Sequence, residues 1–307
     1  MYDIIIVGAG TAGLTAAIYG RRAGKSVAIY ESETYGGQII NTPEIENYPG
    51  IKNVSGYKFA TDLYEQVISL GTDFIFDKIM KIEGSFEEGF KVTTELGKTN
   101  EAKTIILACG AKNRHLGLPM EERLLGRGIS YCATCDGAFF KHRTVAVNGG
   151  GNTALEDAIY LSNLCEKVYL VHRRDAFRGE QALVDIVKST SNIELVLNST
   201  VSALKGEKKL EGITVKDTVT SGERDISVDA LFVAIGQVPS NEQFTDLVNT
   251  DQAGYIIAGE DCKTNIKGIF AAGDGRTKSL RQLTTAAADG AVSAVGCCDL
   301  ILHSNQA

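Results

Sequence analysis

Cys132 and Cys135 stand three positions apart in the run Cys-Ala-Thr-Cys-Asp, with Asp136 directly after them. Two thiols at that spacing can close a small disulfide loop, or one can be held as a low-pKa thiolate; either state supports thiol–disulfide exchange. A zinc site would need two more ligands at matching spacing. The chain has no second Cys-x-x-Cys, and its histidines at 115, 142, 172 and 303 are dispersed, so no metal is expected. Asp136 suits two roles that the residues alone leave open: supplying a proton to a departing thiolate or capping the turn that follows the cysteines. The other five cysteines, at 109, 165, 262, 297 and 298, are scattered and read as reduced packing residues. Cys297 and Cys298 adjoin on an alanine-rich helix, where neighbours point about 100° apart, so one belongs to the core and the other is partly exposed.

A redox pair needs an electron source, and the elements around it carry two nucleotide-binding patterns. Tyr2 to Val7 reads as a buried strand, followed by Gly8-Ala9-Gly10-Thr11-Ala12-Gly13, a helix to about Ala23 and a strand from Val27 ending at Glu31. In such a loop the first glycine permits the tight turn, the second lets a pyrophosphate approach the backbone, and the third lets helix and strand pack closely. The anion sits on the free amides of the helix N-terminus. Glu31 follows where a carboxylate binds an adenosine ribose hydroxyl. The pattern recurs without a gap 141 residues on, as a strand Thr144 to Asn148, Gly149-Gly150-Gly151-Asn152-Thr153-Ala154, a helix and a strand Lys167 to Val171. Ala154 takes the packing-only third place. In that register Glu31-Ser32-Glu33 falls on His172-Arg173-Arg174, with Arg178 one helical turn further. Carboxylate has become guanidinium, which suits a 2′-phosphate. The first unit is therefore expected to hold FAD and the second NADPH in preference to NADH.

The chain then returns to a cofactor. A polar, β-rich stretch leads to Ala230–Ile235 and to Gly268-Ile269-Phe270-Ala271-Ala272-Gly273-Asp274. A strand ending in Gly-Asp lets flavin lie against small residues while Asp274 accepts from a ribityl hydroxyl. The alanine-rich segment from Leu283 to Ile301 reads as a helix whose N-terminus faces the flavin ring. The expected architecture is α/β, with two Rossmann-like dinucleotide-binding domains. A discontinuous FAD domain, residues 1–112 and 243–307, surrounds an inserted NADPH domain, residues 113–242, that carries the cysteine pair. Ala108-Cys109-Gly110-Ala111 forms a small-residue turn and candidate hinge at the first crossing.

Bulk composition narrows the partners. A net charge of −7 argues against non-specific nucleic-acid or anionic-membrane binding, which need clustered Lys and Arg. No apolar run approaches the roughly 18 residues of a transmembrane helix, and no leader precedes the first strand, so a soluble cytoplasmic protein is expected.

Taken together these residues resemble the low-molecular-weight thioredoxin reductases over essentially the whole chain. The resemblance rests on Gly8–Gly13, Gly36-Gly37-Gln38, Glu46-Asn47-Tyr48-Pro49-Gly50, Cys132–Asp136, Gly149–Ala154 and His172-Arg173-Arg174 with Arg178. Ala234-Ile235-Gly236 with Pro239, and Ala271–Asp274 with Arg281-Gln282, complete it. It implies a homodimer with thioredoxin as substrate. It also implies FAD contacts from Gly8, Gly10, Thr11, Ala12, Gly13, Glu31, Gly36, Gly37, Gln38, Asn47, Gly110, Gly273, Asp274, Arg281, Gln282 and Leu283. NADPH contacts follow from Gly149, Gly151, Asn152, Thr153, His172, Arg173, Arg174 and Arg178. In the family the second cysteine, matching Cys135, faces the flavin, the first, matching Cys132, attacks thioredoxin, and the acid matching Asp136 donates a proton. Thr11, Cys109 and Asn148 depart from the usual proline, threonine and aliphatic residue. Nicotinamide site and cysteine pair share the inserted domain and cannot both face the flavin, so that domain must rotate between half-reactions. Another redoxin as substrate, or ferredoxin as donor, is the alternative that the residues leave open.

Overall fold

The computed structural model describes Met1–Ser304. β1 (Tyr2–Val7), α1 (Thr11–Arg22) and β2 (Val27–Glu31) form the opening βαβ unit. Ile4, Ile5, Ile6 and Val7 are all buried, as expected of a parallel strand covered on both faces. The turn after β1 depends on Gly8, whose φ is +102° and where a Cβ would lie 2.4 Å from the Ala108 carbonyl oxygen.

Then come α2 (Gly56–Ser69), β3 (Asp73–Phe76), β4 (Ile79–Ser85), β5 (Gly89–Thr94), β6 (Thr99–Leu107) and β7 (Ala111–Asn113). Ser55 caps α2 by accepting from the Lys58 amide at 3.2 Å. The sheet order is β3-β2-β1-β6-β5-β4, parallel except where β4 and β5 fold back on β6.

The second unit, Asn113–Gln237, repeats the plan. It contains α3 (Glu121–Leu124), β8 (Ile129–Ser130), α4 (Ala133–Asp136), β9 (Thr144–Gly149), α5 (Asn152–Ser162), β10 (Lys167–Val171), α6 (Gln181–Ser189) and β11 (Ile193–Val196). β12 (Ser199–Lys205), β13 (Gly212–Asp217) and β14 (Glu223–Ile226) form an antiparallel meander, and β15 (Ala230–Ala234) rejoins the parallel sheet in the order β11-β10-β9-β15-β8. Its core includes Val145, Val147, Leu155, Leu161, Leu170 and Phe232. Asn148 lies between Val171 and Val233 in register and is half-buried, not enclosed as its strand-end position suggests.

The chain leaves through β16 (Gln237–Pro239), which pairs with β7, then adds β17 (Ile269–Ala271) parallel to β6 and ends in α7 (Leu283–Ser304). The first unit comprises Met1–Lys112 and the chain from Val238 onward. The return lies a few residues before the expected Gln243. Ser240 N–H already donates to Gly110 O at 3.0 Å, and Asn241 Nδ2 donates to Gly275 O at 2.8 Å and Gly254 O at 3.0 Å.

By length and composition alone α7 is apolar enough to cross a membrane, contrary to the reading of the sequence. Here Ala286, Gly290, Ser293, Ala294, Cys297 and Ile301 turn into the core of the first unit. A Cβ on Gly290 would sit 2.2 Å from Ala12 O, which shows how closely α7 approaches α1. Cys297 is fully buried and Cys298 half-buried, as the helical spacing predicts.

Candidate active site

Cys132 and Cys135 are joined in a disulfide, with their Cα atoms 5.3 Å apart. β8 delivers the chain to this point through its pairing with β15. Cys132 then takes an extended conformation at the N-cap of α4, where its Sγ accepts the Cys135 amide at 3.2 Å. Ala133 is buried behind the pair and anchors the turn. Asp136 does not cap the following turn. Its carboxylate instead accepts from the hydroxyl of Ser130 at 2.6 Å. Burial pushes the Asp136 carboxyl above the usual carboxylate range, and the Ser130 hydroxyl partly offsets that rise. Ser130 belongs to no motif, so the sequence gives no signal for it. The neighbouring Tyr131 donates to buried Glu121 at 2.6 Å, which also accepts the Leu116 and Gly117 amides.

In the second unit Gly149 is fixed by crowding, since a Cβ there would lie 2.3 Å from Ala234 O and 2.6 Å from the Ala154 methyl. Gly151 caps α5 with no side chain, and nothing stands within 4 Å of where its Cβ would be. Free amides therefore face open space, as an anion site requires. Thr153 is exposed on the first turn, and Asn152 is tied to Glu180 by two hydrogen bonds of 2.8 and 3.0 Å. His172 departs from the expected phosphate contact. It is buried, bonds Ala176 O through Nε2 at 3.1 Å, stacks on Phe177 and packs against Gly150. Burial lowers its pKa, and Arg178, Arg173 and Arg174 lower it further, so the imidazole braces the loop as a neutral group. Arg173, Arg174 and Arg178 are exposed.

In the first unit Gly10 caps α1 in the same open manner, with Thr11 and Ala12 buried behind it. Gly13 allows close packing, because a Cβ there would lie 2.0 Å from Gly8 O. Glu31 accepts the Ala9 and Glu33 amides, each at 2.8 Å. A carboxylate has about four acceptor positions, so capacity remains for a ribose. Gly36 N–H donates to Ala9 O at 2.7 Å and a Cβ on Gly37 would be 3.3 Å from Gly10 Cα, which brings the second expected segment against the loop. Gln38 donates to Ala111 O, and Asn47 donates to Gln282 at 3.1 Å, one residue before α7 begins at Leu283. Arg281 lies 4.2 Å over the Tyr255 ring and donates to Asp274 O at 3.3 Å.

Two observations test whether this unit fits a flavin dinucleotide. Asp274 Oδ1 is buried with no hydrogen-bond partner among the described residues, and α1 presents uncapped amides beside open space. Both fit a ligand with an internal hydroxyl donor and an anionic centre. Burial raises the Asp274 carboxyl, against the pull of Lys278 and Arg281.

The loop carrying Gly273 and Asp274 is braced by Asp289, which no motif announces. Asp289 accepts from Arg276 at 2.7 and 2.8 Å, from Lys278 at 2.8 Å and from the Gly273 amide at 2.9 Å, and its side chain is 7% exposed. The available signal is an acid on the apolar face of α7, three residues from Ala286 and four from Ser293. Removing it strands two buried cations, so Asp289→Ala is expected to cost about 3–5 kcal/mol in urea unfolding. Burial alone would raise this carboxyl, but Arg276 and Lys278 hold it below the usual range. Its contribution is therefore complete above the unfolded carboxylate pKa and is lost as pH falls through the lower folded value. Wild type and Asp289→Ala should accordingly converge in stability at strongly acid pH; a gap that persists there would exclude the ion pair as its cause.

Comparison with known proteins places this geometry. The pyridine nucleotide-disulphide oxidoreductase family matches residues 2–290. A thioredoxin reductase of Mycoplasma genitalium is 42% identical over 94% of this chain and 92% of its own. One from Listeria monocytogenes is 43% identical over 95% and 92%. The crystal structure of thioredoxin reductase from Streptococcus pyogenes is 41% identical, with a TM-score of 0.94 over 99% of each chain.

Proposed function

Since this chain belongs to the pyridine nucleotide-disulphide oxidoreductase family, we propose that it is an FAD-dependent disulfide reductase that oxidises NADPH and reduces thioredoxin. One observation carries this reading: the Cys132–Cys135 disulfide lies in the unit that also holds the open Gly151 loop and three exposed arginines.

Bound NADPH and FAD would supply the electron pair that opens the disulfide. The α1 amides at Gly10, with Glu31 and Asp274, suit FAD; the α5 amides at Gly151, with Arg173, Arg174 and Arg178, suit the phosphates of NADPH. The remaining chemistry is thiol exchange. The Cys132 thiolate attacks one sulfur of the external disulfide, that S–S bond breaks, and the electron pair leaves on the other sulfur. Cys135 then displaces the second sulfur and re-forms the enzyme disulfide. Asp136, adjacent to Cys135 and biased by burial toward its protonated form, supplies the proton that the first departing thiolate takes.

An exposed stripe on α7, with Val292, Val295 and Leu302 each at least 41% exposed, supports a homodimer. Five cysteines outside the pair remain free, which suits a reducing compartment such as the cytoplasm.

The test is anaerobic titration of the purified protein with NADPH and with NADH, followed by thioredoxin-coupled reduction of a chromogenic disulfide. The proposal expects bleaching of the yellow flavin by stoichiometric NADPH, weak bleaching by NADH, and turnover with thioredoxin. Failure of NADPH to bleach would reject the donor, and bleaching without thioredoxin turnover would reject the substrate.

A further inference from the structure

We propose that Ser130 is a positioning residue for proton transfer in disulfide exchange, linking the Asp136 carboxyl to the backbone of Cys132 through one hydroxyl. The inference rests on the reading of Asp136 as the acid of that step.

Ser130 ends β8, is 4% exposed, and makes three contacts. Its Oγ accepts the Cys132 amide at 3.0 Å. It lies 2.6 Å from Asp136 Oδ2 and 3.3 Å from Cys132 O. A hydroxyl has one proton to donate, so these two acceptors compete for it. While Asp136 is ionised, the shorter, charge-assisted bond holds the proton. Once Asp136 is protonated, its demand on that donor falls, and the Cys132 carbonyl becomes the acceptor. The protonation state of the acid is thereby transmitted to the backbone of the attacking cysteine.

The exchange balances with this proton included. Reduced enzyme enters with Cys132 as thiolate, Cys135 as thiol and Asp136 as carboxylic acid. It leaves with the Cys132–Cys135 disulfide, a carboxylate and two thiols on the former external disulfide. One proton comes from Asp136 and the other from Cys135. Ser130 then donates to the new carboxylate until it is reprotonated. Other ionisable groups stand nearby: Glu156, Asp157 and Tyr160 on α5, which packs on α4, and Tyr131 with Glu121 beside β8. Burial raises the Asp136 carboxyl and the Ser130 hydroxyl lowers it.

The test is the pH profile of the single-turnover reaction between NADPH-reduced holoenzyme and oxidised thioredoxin. Wild type should show an alkaline limb, where Asp136 loses its proton and can no longer supply it. Ser130 favours the carboxylate, so Ser130→Ala should raise the apparent pKa and move the alkaline limb up by about one pH unit. Ser130→Thr keeps the hydroxyl and should restore the wild-type limb. Flavin content reports folding, and if the alanine variant does not fold, Ser130→Gly, which also lacks the hydroxyl, must shift the limb the same way. An alkaline limb unmoved in the variant, with rate lowered equally at every pH, overturns the inference. Asp136→Asn separates the two ideas: if it keeps the wild-type alkaline limb, the acid assignment itself fails, whereas if it abolishes that limb the acid stands and Ser130 is judged alone.

Discussion

Replacing Cys135 by serine is expected to lower disulfide turnover by on the order of 10⁴-fold or more while leaving NADPH binding intact. A serine hydroxyl at neutral pH does not displace a sulfur, so the second half of the exchange has no nucleophile. The first half survives, because Cys132 still stands at the N-cap of α4. Mixing this variant with oxidised thioredoxin should trap a one-to-one mixed disulfide through Cys132, visible on a non-reducing gel and released by reductant. Cys132→Ser should form no such adduct. An adduct with Cys132→Ser and none with Cys135→Ser would reverse the roles of the two cysteines.

The second large effect concerns the donor. Changing Arg173 and Arg174 together to glutamine is expected to reduce kcat/KM for NADPH by about 10²–10⁴-fold, because each lost charge-assisted bond to a phosphate is worth about 1.5–3 kcal/mol. The value for NADH should change by less than about threefold, since NADH carries no 2′-phosphate. Both side chains are exposed, so folding should be unaffected. Steady-state kinetics with the two nucleotides decide the matter. Equal losses for both would mean that the arginines support the loop and do not read the phosphate.

Much of the fold is legible because its signals are local. Strand, glycine turn, helix and strand follow within about thirty residues in each unit, and the repeat fixes their register; the observed bounds of β10, Lys167–Val171, match the sequence reading. Cys132 and Cys135 are equally plain, since their bond spans three residues. What the sequence hides is polar pairing through space. Asp289 holds cations thirteen and eleven residues away, and Ser130 meets Asp136 six residues on, pairs that no motif or repeat marks. His172 misleads for a related reason. Its place in a basic run suggests a phosphate ligand, yet burial against Gly150 makes it packing. α7 is apolar enough by length and composition to cross a membrane, a feature the sequence reading passed over, yet one face is committed to α1.

The pairing of β7 with β16 has a consequence for the history of such a chain. Gln237 donates to Asn113 at 2.9 Å, so the second unit begins and ends at nearly one point. A host fold that accepts a whole domain there must close only a gap the width of two strands, and the entropic penalty of such a loop grows slowly with the length inserted. The same adjacency makes the segment from Asn113 to Gln237 a natural candidate for excision, circular permutation or transplantation as one module. A duplicated nucleotide-binding gene could enter its own copy in a single event at such a doorway, without disturbing the sheet on either side.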